Sequence, residues 1–324
     1  MKGAECPLFS WRNEPIGNRV MSDMSRDTLH ERRTAGERLA ESREIACSYW
    51  VVIPAYNEAE TVRDVATRAR QCCANVIVVD DGSTDGTSRA VAGLDVTVLR
   101  NEENLGKAGS LARGFEHALA HGAFGVITLD ADGQHAPEEI PAFVKRSLED
   151  PTIFLIGARR RDQRKCSFWR YVANRIADFW IGWAAGTSIE DSQSGFRLYP
   201  AEVLRAIELK HDKTRSFVFE SEILIETARR GFVIRNVLIS MMPRSGPRTS
   251  HFRPVLDIVQ ITRMVAWKIL SRGLYLRGLY TFVKSSARRH QEVVELNGAW
   301  REAEGESNFT KPMSSGQSRK LPLP

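Results

Sequence analysis

Three apolar runs in the first half of the chain each stop abruptly at polar residues. Trp50-Val51-Val52-Ile53 leads into Pro54-Ala55-Tyr56-Asn57-Glu58, Val76-Ile77-Val78-Val79 into Asp80-Asp81-Gly82, and Phe124-Gly125-Val126-Ile127-Thr128-Leu129 into Asp130-Ala131-Asp132. Runs this short, without polar alternation, read as strands covered on both faces, the condition of a mostly parallel sheet. Between them, apolar positions recur at helical spacing. The pattern predicts strands near 49–53, 75–79, 96–99, 124–129, 153–157 and 232–239. Helices are predicted over roughly 58–72, 84–93, 106–121, 137–149, 168–184, 200–208 and 219–231. Strands alternating with helices give an α/β fold whose strand carboxyl ends face a ligand crevice.

Both ends lose this periodicity. Residues 1–47 mix Arg, Glu, Ser and Asp and read as a disordered N-terminal arm with a short helix near 27–44. Met21 and Met24 leave the start of translation open. Residues 48–245 make the folded domain, 246–286 an amphipathic helical segment, and 287–324 a disordered tail. Within the helical segment, Val255 to Val283 sets Ile258, Val259, Ile261, Val265, Ile269 and Leu270 beside Arg263, Lys268, Arg272 and Arg277. A basic amphipathic helix lies on a membrane surface or packs on its own domain. The aromatic stretch from Phe168-Trp169-Arg170 to Phe179-Trp180-Ile181-Gly182-Trp183 also suits an interface, while Asp178 and its length argue against spanning.

The strand ends carry the candidate chemistry. Alternate residues of a strand point the same way, so Asp130 and Asp132 can converge on one hard cation. Read alone, so short a tripeptide more often marks an acidic turn with no ligand. Asp80-Asp81 is followed by Ser83, Thr84 and Asp85, all good caps for the next helix. Neither Gly-x-Gly-x-x-Gly nor a Walker Gly-Lys-Ser/Thr occurs, so dinucleotide and P-loop classes are unsupported.

In order along the chain come Val52-Ile53-Pro54-Ala55-Tyr56-Asn57-Glu58, Val78-Val79-Asp80-Asp81-Gly82-Ser83-Thr84-Asp85-Gly86-Thr87, Asn104-Leu105-Gly106-Lys107-Ala108 and Asp130-Ala131-Asp132-Gly133-Gln134-His135. Ile156-Gly157-Ala158-Arg159, Asp191-Ser192-Gln193-Ser194-Gly195-Phe196-Arg197 and Phe217-Val218-Phe219-Glu220 follow. Together, over about residues 48–245, they resemble family 2 glycosyltransferases, most closely the polyprenol- and dolichol-phosphate mannose or glucose synthases.

That resemblance implies a GT-A fold, a nucleotide-sugar donor such as GDP-mannose or UDP-glucose, and Mg2+ or Mn2+. It implies donor contacts at Pro54, Tyr56, Glu58, Asp80, Asp81, Lys107, Asp130 and Ala131, and metal ligands at Asp130, Asp132 and Gln134. Asp191 matches the acceptor-side acidic motif, the place of a base for a hydroxyl acceptor. Arg159, Arg170 and Arg197 match arginines expected near an acceptor phosphate, which an arginine fork pairs with bidentately. Arg160, Arg161, Arg164 and Lys165 read as a solvated basic loop. The Gln-x-x-Arg-Trp of sugar-polymer synthases is missing, so processive polymerisation is not expected. Three readings stand: inverting hexosyl transfer to a lipid-linked acceptor such as polyprenyl phosphate, transfer to a hydroxyl acceptor, or a non-catalytic nucleotide-sugar-binding scaffold.

Composition changes this picture little. A net charge of +6 and a pI near 9.2 suit nucleic acid, an anionic membrane or a phosphorylated lipid, but no nucleic-acid module accompanies them. Five cysteines without Cys-x-x-Cys argue against a disulfide framework or a zinc site. No signal-like apolar stretch and no run of about 18 apolar residues is seen, so the expectation is a cytoplasmic protein, peripheral on the inner face of the membrane.

Overall fold

The computed structural model describes residues 45–159, 168–207, 216–240, 242 and 254–287; of 168–174, 216–217 and 254–260 it describes the backbone only. The N-terminal arm through residue 44, the loop bearing Arg160, Arg161, Arg164 and Lys165, and the tail from 288 lie outside the described residues.

In chain order the elements are β1 (Tyr49–Ala55), α1 (Val62–Cys72), β2 (Asn75–Asp80), α2 (Thr87–Ala90), β3 (Thr97–Arg100), α3 (Gly106–Ala120), β4 (Gly125–Thr128), α4 (Ile140–Glu149) and β5 (Phe154–Arg159). There follow α5 (Phe168–Ala185), β6 (Arg197–Pro200), α6 (Ala201–Ala206), α7 (Ser216–Arg229), β7 (Ile234–Ile239) and α8 (Pro254–Leu270). The strands form one sheet in the order β3-β2-β1-β4-β6-β5-β7. Pairing is parallel except at β6, which runs antiparallel to both β4 and β5.

Alternation along β1 divides the core. Val52 faces one side with Ile77, Val79, Phe115, Val126 and Ile156; Val51 and Ile53 face the other with Val78, Ile127, Phe143 and Leu155. Helix α1 covers the second face through Val62, Val65, Ala66 and Ala69, a spacing that puts one apolar stripe on the sheet. With both faces covered, ligands can reach the sheet only at its edges and strand ends, and the polar loops sit at the carboxyl ends of β1, β2 and β4.

Strand β6 was not anticipated. Arg197-Leu198-Tyr199-Pro200 is four residues long, opens on a charge and closes on proline, yet all four residues are buried. Its place between β4 and β5 supplies the partners that its local pattern does not advertise.

The stretch 255–283 is not a single helix. Helix α8 ends at Leu270, a turn follows with Leu274 and Tyr275 at φ 64° and 42°, and a new helix runs over 276–287. Met264, Val265 and Ile269 of α8 join the core beneath α5 and α7. Lys268, expected on a basic outer face, is instead held by Glu222 at 3.1 Å and by Glu226.

Candidate active site

Two loops at the ends of β1 and β2 are laced together. Asn57, at φ 55°, donates its backbone N–H to Ser83 Oγ (2.9 Å), and its Oδ1 accepts the N–H of Thr84 (2.9 Å). Glu58 N–H donates to Thr87 Oγ1 (2.9 Å) and Ala59 N–H to Asp85 Oδ2 (3.0 Å). None of Ser83, Thr84 and Asp85 is the N-cap of α2, which is Gly86 at φ 91°. Ser83 and Asp85 stitch the loops, and Asp85 Oδ1 also accepts the N–H of Thr87 (3.0 Å) in a turn. Glu58 accepts the hydroxyl of Thr61 (2.8 Å) at the start of α1. Pro54 lies within β1 opposite Val79, and Tyr56 stands half-buried at the strand's end.

The adjacent carboxylates Asp80 and Asp81 have different surroundings. Asp80 is fully buried and accepts from Ser83 N–H (2.9 Å), Ser88 Oγ and Arg100 Nη1 (2.8 Å). Burial would raise its pKa, but these hydrogen bonds and the guanidinium outweigh it and hold the group below the usual carboxylate range. Asp81 Oδ1 accepts from Asn101 Nδ2 (2.7 Å) and Leu105 N–H (2.8 Å); among the described residues no hydrogen bond reaches Oδ2. Of the two, Asp81 keeps acceptor capacity at Oδ2. Gly82 between the loops sits at φ 71°, and a Cβ there would lie 2.8 Å from the backbone of Glu103.

Past β4, Asp130 takes the ammonium of Lys107 at 2.7 Å, and Glu220 of α7 holds the same ammonium at 3.3 Å. Burial favours the neutral forms of both groups. The mutual charge prevails, lowering Asp130 to about 2 and raising Lys107, so both stay ionised. His135 Nδ1 lies 3.8 Å from Asp130 Oδ2; burial pushes its pKa down, and the ring packs near Phe196. Gly195 backs directly onto Asp130: an added Cβ would lie 2.6 Å from Oδ1 and 2.7 Å from Cγ. Thr128 Oγ1 donates to the Gly195 carbonyl (2.7 Å) and holds that approach in place.

Asp132 accepts the N–H of Gln134 at 3.0 Å, a turn that keeps both near Asp130 in the chain. Among the described residues no three His, Cys, Asp or Glu side chains form a ready cage for a metal. Two carboxylates and an amide oxygen nonetheless fit Mg2+ or Mn2+, hard ions that complete their shells with water and phosphate oxygens. The ammonium already resting on Asp130 marks that carboxylate as a cation position.

At the end of β5, Arg159 and Asp191 form a two-pronged pair, Nε to Oδ2 at 2.6 Å and Nη2 to Oδ1 at 2.7 Å, with the Arg159 N–H adding 3.2 Å to Oδ2. Asp191 is buried and both of its oxygens are engaged, so the residue expected as a base holds an arginine. Its loop is pinned by Asp178 of α5, whose Oδ1 accepts the Ser192 N–H (3.0 Å) and hydroxyl (2.7 Å). Arg197 does not reach an acceptor site. It is fully buried and donates to the carbonyls of Ser192, Ser194 and Glu220, each at 2.8 Å, because β6 runs through the sheet interior. Arg170 lies on α5 with its side chain outside the described residues.

Sequence reasoning assigned no role to Gly195, Glu220, Asp178 or Arg100. Asp178 carried a usable signal, since a lone carboxylate in an aromatic helix needs a buried partner.

The model of the family described as "Glycosyl transferase family 2" matches residues 50–207. The chain is similar to undecaprenyl-phosphate mannosyltransferase of Micrococcus luteus, at 32% identity over 240 residues covering 70% of this chain and 96% of that one. It is also similar to polyprenol monophosphomannose synthase of Mycolicibacterium smegmatis, at 30% identity over 60% of this chain and 77% of the relative. Among solved structures, glucosyl-3-phosphoglycerate synthase of Mycobacterium tuberculosis, crystallised with Mn2+, UDP-glucose and phosphoglyceric acid, shares the fold. The TM-score is 0.54 at 23% identity, over 76% of this chain and 86% of that one. The motif order, the sheet and these relatives agree: the chain belongs to glycosyl transferase family 2 and is a glycosyltransferase with the GT-A fold.

Proposed function

We propose that this enzyme transfers a hexose, with inversion, from GDP-mannose or UDP-glucose to a polyprenyl phosphate, using Mg2+ or Mn2+ held by Asp130, Asp132 and Gln134. The observation that carries the acceptor is the Arg159–Asp191 pair. A hydroxyl acceptor needs a base within reach, and the carboxylate expected to be that base is engaged by a guanidinium on both oxygens. A lipid monophosphate needs no base, because its second pKa is about 6 and it arrives ionised. It needs fixed positive charge, which Arg159 supplies in an orientation set by Asp191. The relatives named for undecaprenyl-phosphate and polyprenol substrates support the same class.

In this reading Asp81 Oδ2 accepts from the nucleoside, and the interlaced loops 56–59 and 83–87 hold it in place. A divalent cation, when bound, stabilises the charge that grows on the leaving diphosphate. Lys107 adds a second positive charge beside the same position.

The test is transfer of labelled sugar into organic-extractable product, with GDP-mannose and UDP-glucose each offered to polyprenyl phosphate and to the corresponding free alcohol. Product from the phosphate alone is expected; equal product from the alcohol overturns the acceptor reading. Arg159→Ala is expected to raise the KM for polyprenyl phosphate roughly 10- to 100-fold, the loss of one or more charge-assisted bonds, with donor affinity unchanged. Asp191→Asn separates the two roles of that residue. As a holder of Arg159 its loss raises the same KM; as a base its loss lowers kcat at constant KM.

Peripheral membrane contact belongs to the same proposal. No helix among the described residues is long and apolar enough to cross a membrane. Yet Ile176, Phe179 and Trp180 on α5, Trp267 and Leu270 on α8, and Leu276, Tyr280 and Val283 on helix 276–287 are exposed. Phe179 and Phe282 meet at 5.5 Å between ring centroids, joining the first and last of these helices. Arg263, Arg272, Arg277 and Lys284 add positive charge along the C-terminal segment, each worth about 1 kcal/mol near an anionic leaflet. The full-length protein is expected to float with anionic vesicles at low salt and to lose most of that binding in the Trp180→Glu, Leu276→Glu double variant. Deleting the segment is a poorer test, since Met264, Val265 and Ile269 are core. Sedimentation of the wild type away from such vesicles at low salt refutes membrane contact.

A further inference from the structure

Lys107 stands between two carboxylates of different standing. Asp130, the proposed metal ligand, gives the ammonium one oxygen at 2.7 Å. Glu220 gives it Oε2 at 3.3 Å, while its other oxygen, Oε1, is buried without a hydrogen-bond partner among the described residues. A buried carboxylate with one idle oxygen is under-satisfied, and it can take more of a nearby cation than it now holds. The Asp130 carboxylate also lies against Gly195, where a Cβ would stand 2.6 Å from Oδ1. A second cation arriving at Asp130 therefore meets the first one there.

We propose that Lys107 is a resident counter-cation of the metal site. It neutralises Asp130 when no metal is bound, competes with the metal for that carboxylate, and steps across to Glu220 when metal and donor diphosphate come in. Glu220 is thereby a positioning residue that acts on the metal site only through Lys107. Nothing in the chemistry of transfer demands this arrangement; it follows from one ammonium shared unequally between an oxygen-rich cation position and an idle buried carboxylate. Its consequence is that metal alone binds weakly, and that donor diphosphate, which offers the displaced ammonium new anionic oxygens, strengthens metal binding.

The inference rests on the metal reading of Asp130 and Asp132, and the experiment keeps the two apart. Mn2+ binding to the full-length protein, without nucleotide, is followed by the electron paramagnetic resonance signal of the free ion. Lys107→Met is expected to tighten Mn2+ binding about tenfold, the low end of what one charge within about 4–6 Å of a carboxylate does to its affinity for a cation. Glu220→Gln is expected to weaken it, because the ammonium then has only Asp130 to rest on. The double variant should behave as Lys107→Met alone.

A merely structural role for Glu220 would weaken binding in the double variant as well, and that result overturns the proposal. So does an unchanged Mn2+ affinity in Lys107→Met when Asp132→Asn abolishes binding; in that case the metal reading survives. Failure of wild type and Lys107→Met alike to bind Mn2+, with or without UDP or GDP, overturns both. Lys107→Gln carries the same expectation if the methionine variant melts at a lower temperature than wild type.

Discussion

Gly195→Ala is expected to reduce sugar transfer about 100-fold, the cost typical of shifting a catalytic group by roughly 1 Å. The added methyl would occupy space 2.6 Å from Asp130 Oδ1 and 2.7 Å from its Cγ. No real side chain tolerates that approach, so the carboxylate or the loop must move. The loop is tied down, with Thr128 Oγ1 on the Gly195 carbonyl and Arg197 on the carbonyls of Ser192 and Ser194. Asp130 therefore yields, and with it the ammonium of Lys107 and the cation position that the proposed chemistry needs. Steady-state kinetics at saturating Mn2+ and donor reads the effect, and circular dichroism confirms that the fold persists. Turnover within threefold of wild type would remove Asp130 from the catalytic centre. Asp132→Asn, which leaves the packing untouched, is the companion measurement and should lose at least tenfold, about 1.4 kcal/mol of transition-state stabilisation.

Arg197→Met carries the largest expected loss of stability. The guanidinium is fully buried and satisfies three backbone carbonyls at 2.8 Å. Methionine fills much of the volume but donates nothing, and each buried acceptor left without a partner costs about 1–3 kcal/mol. A loss of about 3 kcal/mol or more follows, which for a domain of this size lowers Tm by roughly 6–12 °C. Because the same three carbonyls belong to the loop behind Asp130 and to α7, activity should fall even below the new melting point. A thermal melt displaced by less than about 2 °C would mean that water replaces the guanidinium, and the interior of β6 would then be wetter than its burial suggests.

Much of this protein was legible from its residues. The uninterrupted apolar runs around Val52, Val78 and Ile127 marked strands covered on both faces, because only a sheet buried on two sides can use such a pattern. The helical spacing over 58–72 marked an element of its cover, and in the structure Val62, Val65, Ala66 and Ala69 form that stripe. Asp130-Ala131-Asp132 stood out as candidate chemistry, but β4 ends at Thr128 and Asp132 lies in a turn, so strand alternation does not set where the two carboxylates point.

Tertiary structure alone decided the rest. Asp80 and Asp81 are the same residue type side by side, yet Arg100 and Ser88 claim the first while the second keeps one oxygen without a hydrogen bond among the described residues. Arg159 finds Asp191, and Lys107 finds Glu220, across long stretches of intervening chain. Arg197 looked like a phosphate ligand until β6 carried it into the sheet. The amphipathic stretch 255–283 allowed both a core helix and a surface one, and the turn after Leu270 divided it into a helix with a core-facing stripe and a second helix with an exposed apolar one. Periodicity records which face of an element is covered, whereas the partner of a charged side chain depends on which distant element does the covering. A charge buried in a dry interior must be met by whatever group the packing brings there.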